Sequence, residues 1–159
     1  MAKIDIHSFK ETEAQEVSQL IGNTIMELNA GDYDMEVLMD QAKFYTADRV
    51  KELARLGHTY VATEDKRVVA VGTIVELPDQ PGTAEIRSLF VSPDEAFRGI
   101  GRAMMMHMET DEFYQKADRI MVDSSVDSCE FCLKLGFDYL GGKPVFENND
   151  HYHMVKVKA

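Results

Sequence analysis

Near the middle of the chain, Arg98-Gly99-Ile100-Gly101-Arg102 sets two glycines one residue apart between guanidinium groups, just before the apolar run Ala103-Met104-Met105-Met106. Where a strand gives way to a helix, this pattern can bind an anion. The first main-chain N–H groups of a helix lack intrahelical acceptors, glycine lets a phosphate come close to them, and the helix dipole adds positive charge at the same end. Arg98 and Arg102 would add charge-assisted contacts to phosphate oxygens. The plainer alternative is that Gly99 and Gly101 only shape a loop. Two nucleotide fingerprints are excluded: Gly-x-Gly-x-x-Gly would need glycine at Met104, and a P-loop would need Gly-Lys followed by Ser or Thr.

Other side chains could also do chemistry. Cys129 and Cys132, the only two cysteines of the chain, have Cys-x-x-Cys spacing. Structural zinc wants a second such pair, and the five histidines are scattered, so no metal is expected. Three residues apart on a helix is also a simple structural repeat, and nothing around the pair looks like a redox site. Glu76 and Glu85 fall on neighbouring predicted strands, as candidate proton acceptors or as solvated strand carboxylates. No catalytic triad is legible around His107, which reads as structural or exposed.

The elements that would position these groups follow from periodicity. Residues Ala2 to Phe9 alternate as a first strand, and Val17, Leu20, Ile21, Ile25 and Leu28 then recur at helical spacing until Asn29-Ala30-Gly31. A short helix is expected over Met35 to Phe44 and another from Thr46 or Ala47 to Gly57; Tyr33, Phe44 and Tyr45 read as core packing or as the wall of a substrate pocket. A hairpin across Glu64-Asp65-Lys66-Arg67 follows, and Ala84 to Val91 forms a third strand of the meander, which Pro93 ends. Beyond Gly101 a helix runs to about Tyr114, its methionines packing on the sheet. A buried strand in Asp118 to Ser125, a helix to Leu135 and two closing strands complete a mixed α/β order.

Bulk properties narrow the partners. At 159 residues, 45% hydrophobic and 28% charged, the chain suits one domain with its own core. Its formal net charge of −11 disfavours nucleic-acid binding, which needs clustered cations, and would attract cationic small molecules. The first residues do not read as a signal peptide, and no apolar run approaches the ~20 residues of a membrane span, so a cytoplasmic protein without a membrane partner is expected.

The segment Leu89-Phe90-Val91-Ser92-Pro93 through Met105 resembles the most diagnostic stretch of the GCN5-related N-acetyltransferases. In that family a strand and a Val-x-Pro step lead to Gln or Arg-x-x-Gly-x-Gly or Ala at a helix start, which cradles the pyrophosphate of acetyl-CoA. The register holds without gaps, although Ala96 stands where the pattern has Gln or Arg and Phe97 where members often carry Gly. Downstream, Phe131, Gly136 and Phe137 match the family's second element, Phe-Tyr-x-x-x-Gly-Phe, with Cys132 at the tyrosine position; Ser125 falls where Ser or Asn helps seat the cofactor, and Ser128 where a small residue is needed.

The resemblance implies a single α/β (α+β) acetyltransferase domain over residues 1–159, with a mixed, mostly antiparallel sheet flanked by helices and a cofactor cleft between two splayed parallel strands. Residues 1–82 would form the acceptor side and 83–159 the acetyl-CoA side. Implied cofactor contacts are Leu89, Phe90, Val91, Ala96, Phe97, Arg98, Gly99, Ile100, Gly101, Arg102, Ser125 and Ser128, the main chain of Leu89 to Val91 also supplying the donor to the developing oxyanion. The implied reaction moves an acetyl group from acetyl-CoA to a primary amine, of a small molecule, peptide N-terminus or lysine, by direct attack in a ternary complex. Glu85 would take the ammonium proton, and Cys132, a thiol of unperturbed pKa ~8.5, would replace the usual tyrosine as acid or act only as a small buried hydrophobe. The alternative is a regulator or sensor that binds acetyl-CoA with little turnover. Homodimers are common in the family.

Overall fold

The computed structural model describes every residue except 1–2, 29–33, 96–97, 125–128, 143, 145, 148–150 and 159. Ala96, Phe97, Ser125 and Ser128 therefore lie outside the described residues, as do Tyr33 and the expected helix stop at Asn29-Ala30-Gly31.

Among the described residues, eight strands form one sheet: β1 (Ile4–Ser8), β2 (His58–Glu64), β3 (Arg67–Glu76), β4 (Thr83–Val91), β5 (Arg119–Ser124), β6 (Asp138–Tyr139), β7 (Phe146–Glu147) and β8 (His151–Val157). Their order is β1-β2-β3-β4-β5-β8-β6, with β7 also on β8. Every described pairing is antiparallel except β4 with β5. The β2–β3 turn is two residues, Asp65 and Lys66, at φ 51° and 66°. That is the pair of positive angles a tight hairpin needs to match strand twist.

Helices α1 (Ala14–Leu28), α2 (Met35–Phe44) and α3 (Ala47–Arg55) cover one face. Val17 and Ile21 of α1, Leu38 of α2 and Val50 of α3 pack there with Val61 and Val71 of the sheet. Helices α4 (Ile100–Met108), α5 (Glu112–Lys116) and α6 (Cys129–Lys134) cover the other. Met105 and Met108 meet Ile74, Ile86 and Ile120, while Ile100 and Met104 meet Ala62, Val69 and Ala70. The methionine run thus packs α4 onto the sheet at helical spacing: Met104 and Met108 are fully buried and Met106 is exposed. Each buried methionine contributes roughly 1.5–3 kcal/mol of transfer free energy.

The helix expected from Gly101 to Tyr114 is two helices. Thr110 Oγ1 donates to the His107 carbonyl at 2.6 Å, and Asp111 Oδ1 accepts from the Phe113 N–H at 2.8 Å. Side-chain capping thereby ends α4 and starts α5 within three residues, where apolar periodicity alone shows no break.

Candidate functional site

Strand β4 is the pivot of the site. It runs parallel to β5 from Thr83 opposite Arg119 to Ile86 opposite Val122, and there the pairing stops although both strands continue. On its other side Arg87 pairs with Thr73 and Phe90 with Val71, leaving Ser88 and Leu89 opposite the single residue Gly72. Two residues against one is a β-bulge, which bends the strand that carries it. Ser88 takes φ 55° to make it. The bend leaves β4 and β5 parted beyond Ile86 and Val122.

Past the bulge, the bond from the Ser92 N–H to the Val69 carbonyl, 2.8 Å, sets the alternation of backbone groups. In an antiparallel ladder neighbouring residues turn their N–H and C=O to opposite sides. Ser92 and Phe90 therefore face β3, and Val91 turns its main-chain groups toward the gap. Side chains alternate as well: Leu89 and Val91 pack on the α4 face, Phe90 on the α1 face.

The same strand leads through a 3-10 turn, Pro93–Glu95, to the start of α4. Gly99 is the N-cap, at φ 79° and ψ 12°, a left-handed conformation costly for residues with a Cβ. Among the described residues a Cβ there would meet nothing within 4 Å, so the space beside Gly99 itself is open. The first helical bond is from the Ala103 N–H to the Gly99 carbonyl, 3.0 Å, which leaves the N–H groups of Ile100, Gly101 and Arg102 without intrahelical acceptors. Ile100 buries its side chain beneath this end and Arg102 is exposed. Open donors, a glycine cap and an exposed guanidinium fit a phosphate.

Helix α6 packs beside this end. A Cβ on Gly101 would lie 3.3 Å from Phe131 Cζ, so glycine there admits the ring. After α6, Gly136 at φ 97° reverses the chain, the Phe137 N–H donates to the Cys132 carbonyl at 3.1 Å, and the Phe137 side chain enters the core.

Arg98 departs from its expected part. Its Nη1 and Nη2 donate to Glu64 Oε1 and Oε2 at 2.9 and 2.6 Å, and Nη1 also meets Glu95 Oε2. The side chain is thus committed to protein carboxylates rather than offered to an anion. Its hydrogen bonds hold the Glu64 carboxyl below the usual carboxylate range, and donating them to Glu64 and Glu95 raises the guanidinium further above its own.

Cys132 is 4% exposed, in the core with Met105, Ile86 and Phe137. A small side chain of this kind suits a packed core position. Glu85 is half-buried on the α1–α3 face of β4, three residues before the bulge, and accepts from Arg87 Nε. Glu76 is exposed. On the same face as Glu85, Tyr45 places its hydroxyl 3.3 Å from Ser88 Oγ and its ring edge-on to Phe90, 5.7 Å between centroids. Sequence reading missed Ser88, Glu64 and Glu95: a positive φ at serine has no sequence signal, and the carboxylates find Arg98 across 34 and 3 residues of chain.

The fold has counterparts among known proteins. The fold matches the PaiA N-acetyltransferase of Thermoplasma acidophilum in complex with coenzyme A, with a TM-score of 0.79, 15% identity, and 98% of this chain and 99% of that chain covered. A GCN5-related N-acetyltransferase structure from Rhodopseudomonas palustris matches at 0.78, with 22% identity and coverage of 99% and 98%. Diaminobutyrate acetyltransferase EctA of Paenibacillus lautus, in complex with L-2,4-diaminobutyric acid and coenzyme A, matches at 0.64 and 12% identity over 99% and 96%. Residues 23–137, which hold β4 with its bulge, the glycine-capped α4 and the whole of α6, match the model of the acetyltransferase (GNAT) family, and the chain belongs to that family.

Proposed function

We propose that this acetyltransferase moves an acetyl group from acetyl-CoA to the primary amine of a small molecule, peptide N-terminus or lysine, by direct attack in a ternary complex. The observation that carries the reading is the gap opened between β4 and β5 by the Ser88 bulge, beside the open, glycine-capped start of α4. Acetyl-CoA supplies an activated thioester. The N–H groups of Ile100, Gly101 and Arg102 hold its pyrophosphate, with the exposed Arg102 guanidinium as a further donor. The main chain at Val91, with Leu89 and Phe90 on either side of the strand, lines the acyl end and offers a donor where negative charge develops.

Glu85 is the proton acceptor on the amine side, from the α1–α3 face of the strand. The amine comes from the side built by residues 1–82, while residues 83–159 hold the cofactor. The buried Cys132 thiol does not serve as acid in this proposal; a leaving thiol of pKa ~8.5 departs as thiolate near neutral pH without one.

Titration calorimetry with acetyl-CoA tests the cofactor half of the reading, and the absence of binding at millimolar cofactor overturns it. Thiol release against a panel of amines tests the transfer. A second reading is favoured by the burial of Cys132 at the tyrosine position: a regulator that binds acetyl-CoA with little turnover. Acceptor-dependent thiol release eliminates it; binding without release supports it.

A further inference from the structure

We propose that Glu64 and Glu95 are positioning residues for the pyrophosphate cradle, acting through Arg98 to set the start of α4 on the sheet; the inference rests on the reading of that helix start as the cradle. Glu64 ends β2 and Arg67 begins β3, register partners across the two-residue turn. Arg67 Nη2 donates to Glu95 Oε1 at 3.0 Å, and Arg98 bridges Glu95 and Glu64. The four charges alternate along a chain of three ion pairs, Glu64–Arg98–Glu95–Arg67, whose ends are register partners, so the set closes into a ring only through the hairpin backbone and joins the hairpin end to residues 95 and 98 before Gly99.

Burial and backbone geometry give the ring its consequence. Glu64 is 6% exposed and Glu95 8%. Glu95 is itself fixed by its N–H, which donates to the Ser92 carbonyl at 2.9 Å. Two buried carboxylates beside an anion site would repel phosphate unless neutralised, and the two guanidiniums of the ring do that within the protein. Arg98 is the residue before the left-handed Gly99, so its anchored side chain restrains the backbone that aims the helix N–H groups. The planar fork of arginine matches the Glu64 carboxylate at both oxygens, which a lysine cannot reproduce.

The ring makes a claim that separates it from a general contribution to folding. Acetyl-pantetheine carries the same thioester without the pyrophosphate, so it bypasses the cradle. Glu64→Gln is expected to raise KM for acetyl-CoA about tenfold, the scale of losing a charged hydrogen-bond partner, with kcat at saturation kept and kcat/KM for acetyl-pantetheine kept. Equal losses with both donors overturn the proposal, since they indicate general destabilisation. Tighter acetyl-CoA binding with a steeper salt dependence also overturns it, because a released Arg98 would then be a phosphate ligand.

Glu95→Gln, which leaves the bidentate pair intact, gives the same split at smaller size and stands in should Glu64→Gln not fold. Amide hydrogen exchange at residues 99–102 without cofactor should be faster in either variant, and unchanged exchange counts against the anchoring. Wild-type protein that binds no acetyl-CoA defeats the reading of the site, while the exchange experiment still decides whether the ring holds the helix start.

Discussion

The hydroxyl of Tyr60 donates to the carboxylate of Asp111 at 2.5 Å, and His58 Nδ1 meets the same oxygen at 2.8 Å. Asp111 is 4% exposed and its other oxygen caps α5, so one buried carboxylate ties β2 to the corner between α4 and α5. The His58 ring stacks on Phe113, 4.1 Å between centroids. The cluster borders an open cavity of about 540 Å³ at the far end of α4 from Gly99.

Burial first, then the bond to Asp111, push the Tyr60 hydroxyl up to about 12 from its ordinary 10. A folded-state value raised above the unfolded one contributes stability that is complete below the unfolded pKa and is lost as pH rises. Stability should therefore fall from about pH 10 to 12 as the unfolded chain ionises first. Tyr60→Phe should flatten that limb of the melting curve, and an unchanged limb would show that another group carries it.

His7 lies between two carboxylates, with Nδ1 2.8 Å from Asp5 and Nε2 2.8 Å from Glu13. Burial pulls its pKa down, but the hydrogen bonds to Glu13 and Asp5 outweigh that and leave it raised above 6.5. The stabilisation is complete below pH 6.5 and disappears as pH rises through the folded-state value. His7→Gln should lower Tm at pH 5 more than at pH 9, and an equal loss at both would refute the linkage.

Gly99 needs its left-handed conformation to present the start of α4. Gly99→Val should cost about 1–2 kcal/mol of stability for the forced φ. Acetyl-CoA affinity should fall with it. Chemical unfolding and calorimetry read the two effects separately; full affinity in a destabilised variant would mean that the cap geometry does not serve the cofactor.

The two candidate proton-transfer residues should behave differently. Cys132→Ala should cost about 1 kcal/mol, the scale of one buried methyl-sized group, and leave kcat unchanged. A large loss of kcat there would restore the thiol as acid. Glu85→Gln should lower kcat/KM about 10²-fold, with Glu85→Asp keeping part of the rate. Activity like wild type's in Glu85→Gln would assign the proton to another group.

The order of elements was legible because each carries its own period. Alternation marked β1 and the β2–β3 hairpin, apolar runs marked β4 and β5, and the methionines of α4 pointed to a helix packed on the sheet. The break between α4 and α5 was not, because Asp111 looks like any polar residue until its backbone partner is known. The pairing of Arg98 with Glu64 was hidden for a similar reason: a guanidinium beside a glycine loop fits a phosphate as well as it fits a carboxylate, and Glu64 is distant in sequence.

From the sequence alone came the family resemblance, the mixed α/β order and the place of the glycine turn after Leu89-Phe90-Val91-Ser92-Pro93, since short-range spacing and backbone preference are local properties. Only the tertiary structure decided where β4 leaves β5, that Ser88 carries the bulge, that Arg98 is held by Glu64 and Glu95, and that Cys132 lies in the core. Those outcomes depend on which strands pair and which charges meet across the fold, a competition among distant partners that no single stretch of chain encodes.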